Sequence, residues 1–162
     1  MTIKILITGG TCDKEYNLLT GELFFNSTHI PEMLKLGRAR LDIEIETVMM
    51  VDSLNMTEPD IEKIAEKCMQ SKEERILITH GTDKMVATAK ILGSKIKDKT
   101  IVLTGAMVPY AFGSSDGLFN LGSALAFVQT LPHGVYISMN GRYFNWDNAV
   151  KNKQTGIFEE IK

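Results

Sequence analysis

Two cysteines in 162 residues, Cys12 and Cys68, are too few and too far apart for a disulfide framework. Neither has a metal-type spacing to a second ligand, so no metal site is expected. No apolar run is long enough to cross a bilayer. The short one between Met1 and Thr8 contains a lysine and is too brief for a signal-peptide core. A cytoplasmic, reduced protein with no membrane contact is the resulting expectation. Charge of one sign is also lacking. The 18 basic and 20 acidic residues are well mixed and leave a formal net charge of -2, which gives no field to attract nucleic acid. There is no Gly-x-Gly-x-x-Gly and no Walker loop, so a nucleotide site is unsupported and no cofactor is expected. Internal repeats, low-complexity tracts and linkers rich in Pro, Gly or Ser are missing too. Small-molecule chemistry on one compact domain is what remains.

A chain of this size can bury a sufficient core alone. Ile3 to Ile7, Arg75 to Thr79, Ile101 to Thr104 and Val135 to Met139 are short, β-branched, nearly continuous apolar runs, as expected of strands covered on both faces. Leu41 to Met50 alternates instead, with Leu41, Ile43, Ile45, Thr47 and Met49 on one side, which predicts an edge strand with one wet face. Helices are predicted between them. One runs from Thr28 and Pro31 to Gly37, and one follows Thr57, with Asp60 as its capping partner and Ile61, Ile64, Ala65 and Cys68 inward. A third spans Lys84 to Leu92, with Asp83 at its cap or first turn, and a fourth runs from about Leu118 to Thr130. Cys12 to Thr28 reads as a long loop, or hairpin, of the kind that forms lids. The tail after Asn140 is weakly periodic. This alternation predicts an α/β fold: a mainly parallel sheet with helices on both faces and right-handed crossovers.

Each strand exits into a small polar turn, and in such a sheet these turns line one edge, where ligands bind. They are Thr8 to Thr11, Asp52 to Asn55, Thr79 to Asp83 and Thr104 to Ala106. All four carry hydroxyls and two of them a carboxylate as well, and a lysine lies downstream, which supplies the parts for acyl transfer: a threonine nucleophile, a proton carrier and an orienting carboxylate. Serine–histidine hydrolysis is poorly supported, because His29 and His133 read as loop or cap residues and His80 has no nucleophile elbow near it.

The chain resembles the bacterial-type L-asparaginases, amidohydrolases with a threonine nucleophile. The motifs that carry the resemblance are Thr8-Gly9-Gly10-Thr11, Ile78-Thr79-His80-Gly81-Thr82-Asp83 and Val102-Leu103-Thr104-Gly105-Ala106-Met107. Ser115-Asp116-Gly117, Asn120, and Met139-Asn140 followed by Lys151 come after them in the family's order. The resemblance implies a flavodoxin- or Rossmann-like three-layer fold, that of the family's N-terminal domain, over residues 1–162, with the family's C-terminal domain absent. It implies Thr11 as nucleophile, Thr82, Asp83 and Lys151 as a second catalytic group, and Tyr16 as a lid tyrosine. Ser53, Leu54, Gly81 and Ala106 fall at substrate-contacting positions, Ser53 toward an α-carboxylate and Asp83 toward an α-amino group. Two departures stand out: Leu54 where larger members carry glutamine, and Lys84 where threonine usually follows the aspartate.

The activity implied is release of ammonia from L-asparagine, leaving aspartate, through a threonyl acyl-enzyme. Two other readings stay open: a binding module of the same ancestry that turns nothing over, and an amidase for another ω-amide such as glutamine. A pocket at the strand ends would be open to water, so a homo-oligomer in which a second copy, or the Cys12 to Thr28 loop, covers the site is also expected.

Overall fold

The computed structural model describes residues 1–161. Its core is a six-stranded sheet of β1 (Thr2–Gly9), β4 (Asp42–Val51), β5 (Arg75–Thr79), β6 (Thr100–Thr104), β7 (Gly134–Met139) and β8 (Arg142–Asn145), in the order β4-β1-β5-β6-β7-β8. The first five are parallel and β8 runs antiparallel to β7. Helices α1 (Ile30–Leu36) and α4 (Gly117–Thr130) cover one face; α2 (Glu58–Gln70) and α3 (Met85–Lys95) cover the other. Among the described residues no helix is long and apolar enough to cross a membrane.

The apolar strands are continuous because both faces are buried. Ile3, Ile5 and Ile7 of β1 point to α1 and α4 while Leu6 points to α2 and α3, and Leu77 and Val102 alternate in the same way with Ile76, Ile78, Ile101 and Leu103. Helix α2 buries Ile61, Ile64, Ala65 and Cys68, the face its period predicts. Its start is fixed by Asp60, whose carboxylate accepts both the backbone N–H and the hydroxyl of Thr57, each at 2.8 Å.

Three local expectations are corrected. Strand β4 is an edge strand, but its alternation does not run through to Met49. Ile7 pairs with Thr47 while Gly9 pairs with Val51, and this irregularity shifts the later side chains, so Ile43 packs toward α1 and α4 and Met49 toward α2 and α3. Asp83 is not a helix cap, because Lys84 occupies that position and α3 starts at Met85. The tail is also more regular than its composition suggests. It contains β8, whose Phe144 is buried, and a small hairpin of β9 (Val150–Lys151) and β10 (Phe158–Glu159) outside the main sheet.

The Cys12 to Thr28 segment is a hairpin of β2 (Lys14–Tyr16) and β3 (Leu23–Phe25). Asn17 holds its turn by accepting the N–H groups of Leu19 and Thr20. Buried Asp13 ties its base to α1, accepting the N–H of His29 at 2.8 Å and the hydroxyl of Thr28 at 3.2 Å. Burial pushes the Asp13 carboxyl above its ordinary range, against those two hydrogen bonds.

Candidate active site

The four polar turns lie together at the carboxyl edge of the parallel strands, and glycines bring them into backbone contact. A Cβ on Gly10, which has φ of 86°, would lie 2.5 Å from the Gly81 nitrogen, and one on Gly81 would lie 2.4 Å from Ser53 Oγ. A Cβ on Gly9 would meet Val51 backbone at 2.5 Å, and one on Gly105 the His80 carbonyl at 2.3 Å. No side chain larger than hydrogen fits between these turns. The first and third turns therefore touch one residue before Thr11 and Thr82.

Hydrogen bonding separates the structural threonines from the others. The Thr8 hydroxyl donates to the Thr79 carbonyl at 2.7 Å, and that of Thr104 to the Ser138 carbonyl at 2.8 Å. The His80 N–H reaches the Thr104 carbonyl at 2.8 Å. These bonds extend the ladder past the strand ends, so Thr8 and Thr104 are committed to architecture. Thr11, which opens a short 3₁₀ turn to Asp13, is partly exposed, and its hydroxyl has no hydrogen-bond partner among the described residues.

Thr82 is 6% exposed, and its Oγ1 accepts a hydrogen bond from Lys151 Nζ at 2.8 Å. The same ammonium donates to Asp83 Oδ1 at 2.8 Å. Lys151 thus joins two neighbouring residues of one turn from 69 positions away in sequence. Asp83 is about half exposed, and its Oδ2 has no protein partner among the described residues.

Behind this turn, His80 is buried between the backbone and α3. Its Nδ1 is 2.7 Å from the Gly81 carbonyl, which can only accept, so Nδ1 carries the proton. Nε2 then accepts the Thr88 hydroxyl at 2.9 Å. Burial drives the His80 pKa down to about 4 from 6.5, outweighing the hydrogen bond to Gly81. Neutral His80 is thereby a clamp on the peptide that precedes Thr82. The histidine was visible in the sequence only as a strand-end residue; its partner Thr88 lies in the first turn of α3, eight residues on, a spacing no motif records.

Ser53 is buried and packs directly on Gly81, whereas Leu54 is 64% exposed. Leu54, Val86 and Val150 line a cavity of about 410 Å³ with Asp83, Lys151 and Lys153. The turn holding Ser53 and Leu54 is capped by Asp52, which accepts the Leu54 N–H at 2.9 Å and pairs with Lys14 of the hairpin. The hydrogen bond from Lys14 is the main reason the Asp52 carboxyl is held below its ordinary range. Lys14 and Asp52 thus couple the Thr11 segment to the Ser53 turn, a link that sequence reasoning missed.

Ala106 is buried, and the peptides on either side of it are held in place. Asn120 Nδ2 donates to the Gly105 carbonyl at 3.0 Å, and Asp116 accepts the N–H groups of Met107 and Val108 at 3.0 Å each. Tyr16 is set apart from this cluster. It is 51% exposed on β2, its hydroxyl lies over Gly21 of the same hairpin, and no hydrogen bond joins it to Thr11, Thr82 or Lys151 among the described residues. Nor are three His, Cys, Asp or Glu side chains grouped to hold a metal ion among those residues.

The arrangement suits nucleophilic acyl chemistry. A hydroxyl without a protein partner sits one turn away from a Thr–Lys–Asp group that can carry protons and hold a charged substrate.

Comparison with known proteins places the fold and the family. L-asparaginase 1 of Escherichia coli K12 is 30% identical over 166 residues, covering 96% of this chain and 49% of that protein. A component of the glutamyl-tRNA(Gln) amidotransferase from Methanococcus vannielii is 31% identical over 166 residues, covering 96% of this chain and 37% of its own. The thermostable L-asparaginase from Thermococcus kodakarensis superposes with a TM-score of 0.87 at 27% identity, over 99% of this chain and 51% of that one. The chain thus spans about half the length of the curated asparaginase it matches. The family model for the N-terminal domain of asparaginase matches residues 2–158, and the chain belongs to that family.

Proposed function

We propose that this chain carries the catalytic half of an amidohydrolase that releases ammonia from L-asparagine. The observation that carries the reading is Lys151 Nζ bonded at 2.8 Å to both Thr82 Oγ1 and Asp83 Oδ1, beside a turn whose Thr11 hydroxyl has no partner among the described residues. In the first step Thr11 Oγ attacks the side-chain amide carbon and its proton passes through Thr82 and Lys151 to the amide nitrogen. The C–N bond breaks, ammonia leaves and an ester to Thr11 remains. Water then adds to that ester, its proton returns to Thr11 Oγ, and aspartate is freed. Backbone N–H groups of the Gly10 and Gly81 turns would stabilise the oxyanion, a contact worth about 3 kcal/mol per donor in other enzymes.

Asp83 Oδ2 is available for the substrate's α-ammonium, Ser53 for its α-carboxylate and Ala106 for the amide through its backbone. Leu54 would pack against the head group, and Tyr16 would act as a lid residue once the hairpin closes. Because Asp83 and Leu54 are open to solvent, the reading includes a covering surface, supplied by a second copy of the chain. A cytoplasmic location accords with two unpaired, buried thiols.

Ammonia release from asparagine, glutamine and other ω-amides, with Thr11→Ala and Lys151→Met beside the unsubstituted chain, tests the reading. Loss of turnover of about 1,000-fold or more is expected for Thr11→Ala, by analogy with removal of other catalytic nucleophiles. Full activity without Thr11 would overturn its assignment. Saturable binding of an amide with no turnover would favour a binding module. Sedimentation of a fully active monomer would refute the covering copy.

A further inference from the structure

Lys151 stands on a hairpin that the main sheet does not hold. Strand β9 is two residues long and among the described residues pairs with β10 alone, Lys151 opposite Phe158 and Val150 opposite Glu159. Something else must keep its ammonium within 2.8 Å of two atoms on another loop. Two anchors supply it: Phe158 of β10, buried in the core directly opposite Lys151, and the segment just before β9. Trp146, the single tryptophan of the chain, donates its backbone N–H to the Val135 carbonyl of β7 at 3.1 Å and lays its ring against α3. A Cβ on Gly93 would be 2.3 Å from the indole Cγ and Cδ2 and 2.6 Å from Cδ1, so the ring occupies the space a side chain would need. Lys97 Nζ sits 5.2 Å from the ring centroid on the same side of the molecule and also donates to the Gly93 carbonyl.

Glycine inside a helix is unfavourable relative to alanine, and a notch for another side chain is a physical reason to have one. The notch matters for the site because α3 is the same helix that begins directly after Thr82, Asp83 and Lys84. Gly93 lies eight residues beyond the helix start, about 12 Å along its axis at 1.5 Å per residue. One end of α3 thus carries the partners of Lys151, and its other end holds Trp146. Between Trp146 and Lys151 the chain is also held by the buried Ala149 and by Asn148, whose N–H donates to the Asn145 carbonyl at 3.0 Å and whose side-chain oxygen accepts the Ile161 N–H at 3.1 Å.

From this we infer that the Gly93–Trp146 contact sets the position of Lys151 against Thr82 and Asp83, making Gly93 and Trp146 positioning residues for the proposed catalytic group. The inference rests on the functional reading for its consequence in catalysis, but its geometric content does not. Neither residue lines the cavity beside Lys151. Their effect therefore passes through the hairpin.

The experiment has two readouts. The first is acetylation of Lys151 by an N-hydroxysuccinimide ester, followed by peptide mapping and normalised to Lys72, whose side chain is 80% exposed. In the unsubstituted protein Lys151 is engaged by two acceptors, so its labelling is slow. Gly93→Ala and Trp146→Ala should each speed it by about tenfold, as an order of magnitude for releasing a side chain held in one geometry. Trp146→Phe keeps a ring in the notch and should stay within about threefold of the unsubstituted chain. Emission of Trp146 reports folding and notch occupancy in the Gly93→Ala chain, where a red shift is expected.

The second readout is ammonia release. In Gly93→Ala, kcat should fall by about 100-fold with KM little changed, the cost of a misplacement near 1 Å. A purely structural role for the notch would lower stability, through the clash with the indole, and leave kcat and Lys151 labelling alone. Unchanged Lys151 labelling in both variants would overturn the inference whatever the activity. Faster labelling in a protein that releases ammonia from no amide in any form would uphold the positioning role and overturn the proposed function instead. If Gly93→Ala does not fold, Trp146→Ala against Trp146→Phe decides the matter by the same labelling.

Discussion

Mild acidification should remove stability from this protein, and His80 is the reason. The imidazole is buried, neutral, and committed on both nitrogens to Gly81 and Thr88. Its pKa is about 4 in the folded chain against 6.5 for an ordinary histidine. Since the folded value is depressed, the unfolded chain takes up a proton first. Stability is complete above 6.5, declines as pH falls below it, and the loss is full once pH passes about 4. The gap corresponds to about 3 kcal/mol in total, of which about 2 kcal/mol is lost by pH 5. Glu46, Asp52, Asp60 and Glu73, whose pKa values are lowered, give up their contributions only at more acid pH, and buried Asp13, whose carboxyl is pushed up, works in the opposite direction, so the histidine is isolated by comparison with a chain that lacks it. Urea unfolding followed by circular dichroism at pH 7, 6 and 5 measures this directly. His80→Gln should start less stable, having lost the clamp, but fall by about 2 kcal/mol less over that interval. The remaining histidines are common to both chains and cancel in the comparison. Parallel decline of the two proteins would refute the argument and leave His80 without a linked proton.

Two other outcomes follow from the packing. Gly10→Ala should cost about 3 kcal/mol, because φ of 86° disfavours a side chain and its Cβ would press on Gly81 backbone that cannot step aside. A drop in melting temperature within a few degrees of zero would show that the turns can separate freely. Cys12 and Cys68, both buried, with thiols pushed up to about 12 by burial, should fail to react with a disulfide reagent at pH 8 until the protein is unfolded. Stoichiometric labelling of either in the native chain would contradict their place in the core.

Much of the fold could be read from short-range pattern. The inward face of α2 and its Thr57–Asp60 start follow from helical period and capping, and both involve residues within a few positions of each other. The doubly buried strands announced themselves as unbroken apolar runs. Strand β8 did not, since Arg142, Tyr143 and Asn145 are exposed and only Phe144 is buried, which leaves almost no period to detect. The flaw in the β4 alternation has a related cause: the irregular pairing with β1 is a property of two strands and cannot be seen in one.

The candidate site divides along the same line. The turns that carry Thr11, Ser53, Thr82 and Ala106 were legible because each is a strand end followed by small polar residues, and strand ends of one parallel sheet must share an edge. By itself the sequence determined the layer order, the helix faces and the edge where chemistry collects, since all of these arise from periodicity and local hydrogen bonding. Only the tertiary structure decided which hydroxyls are already used, where the His80 proton lies, and how Lys151 is delivered. Each of those depends on a donor and an acceptor, or a ring and a bare Cα, that meet across loops and helices, and the Lys151–Thr82 pair lies 69 residues apart in the chain. Such contacts are made by packing, and packing leaves no local signature.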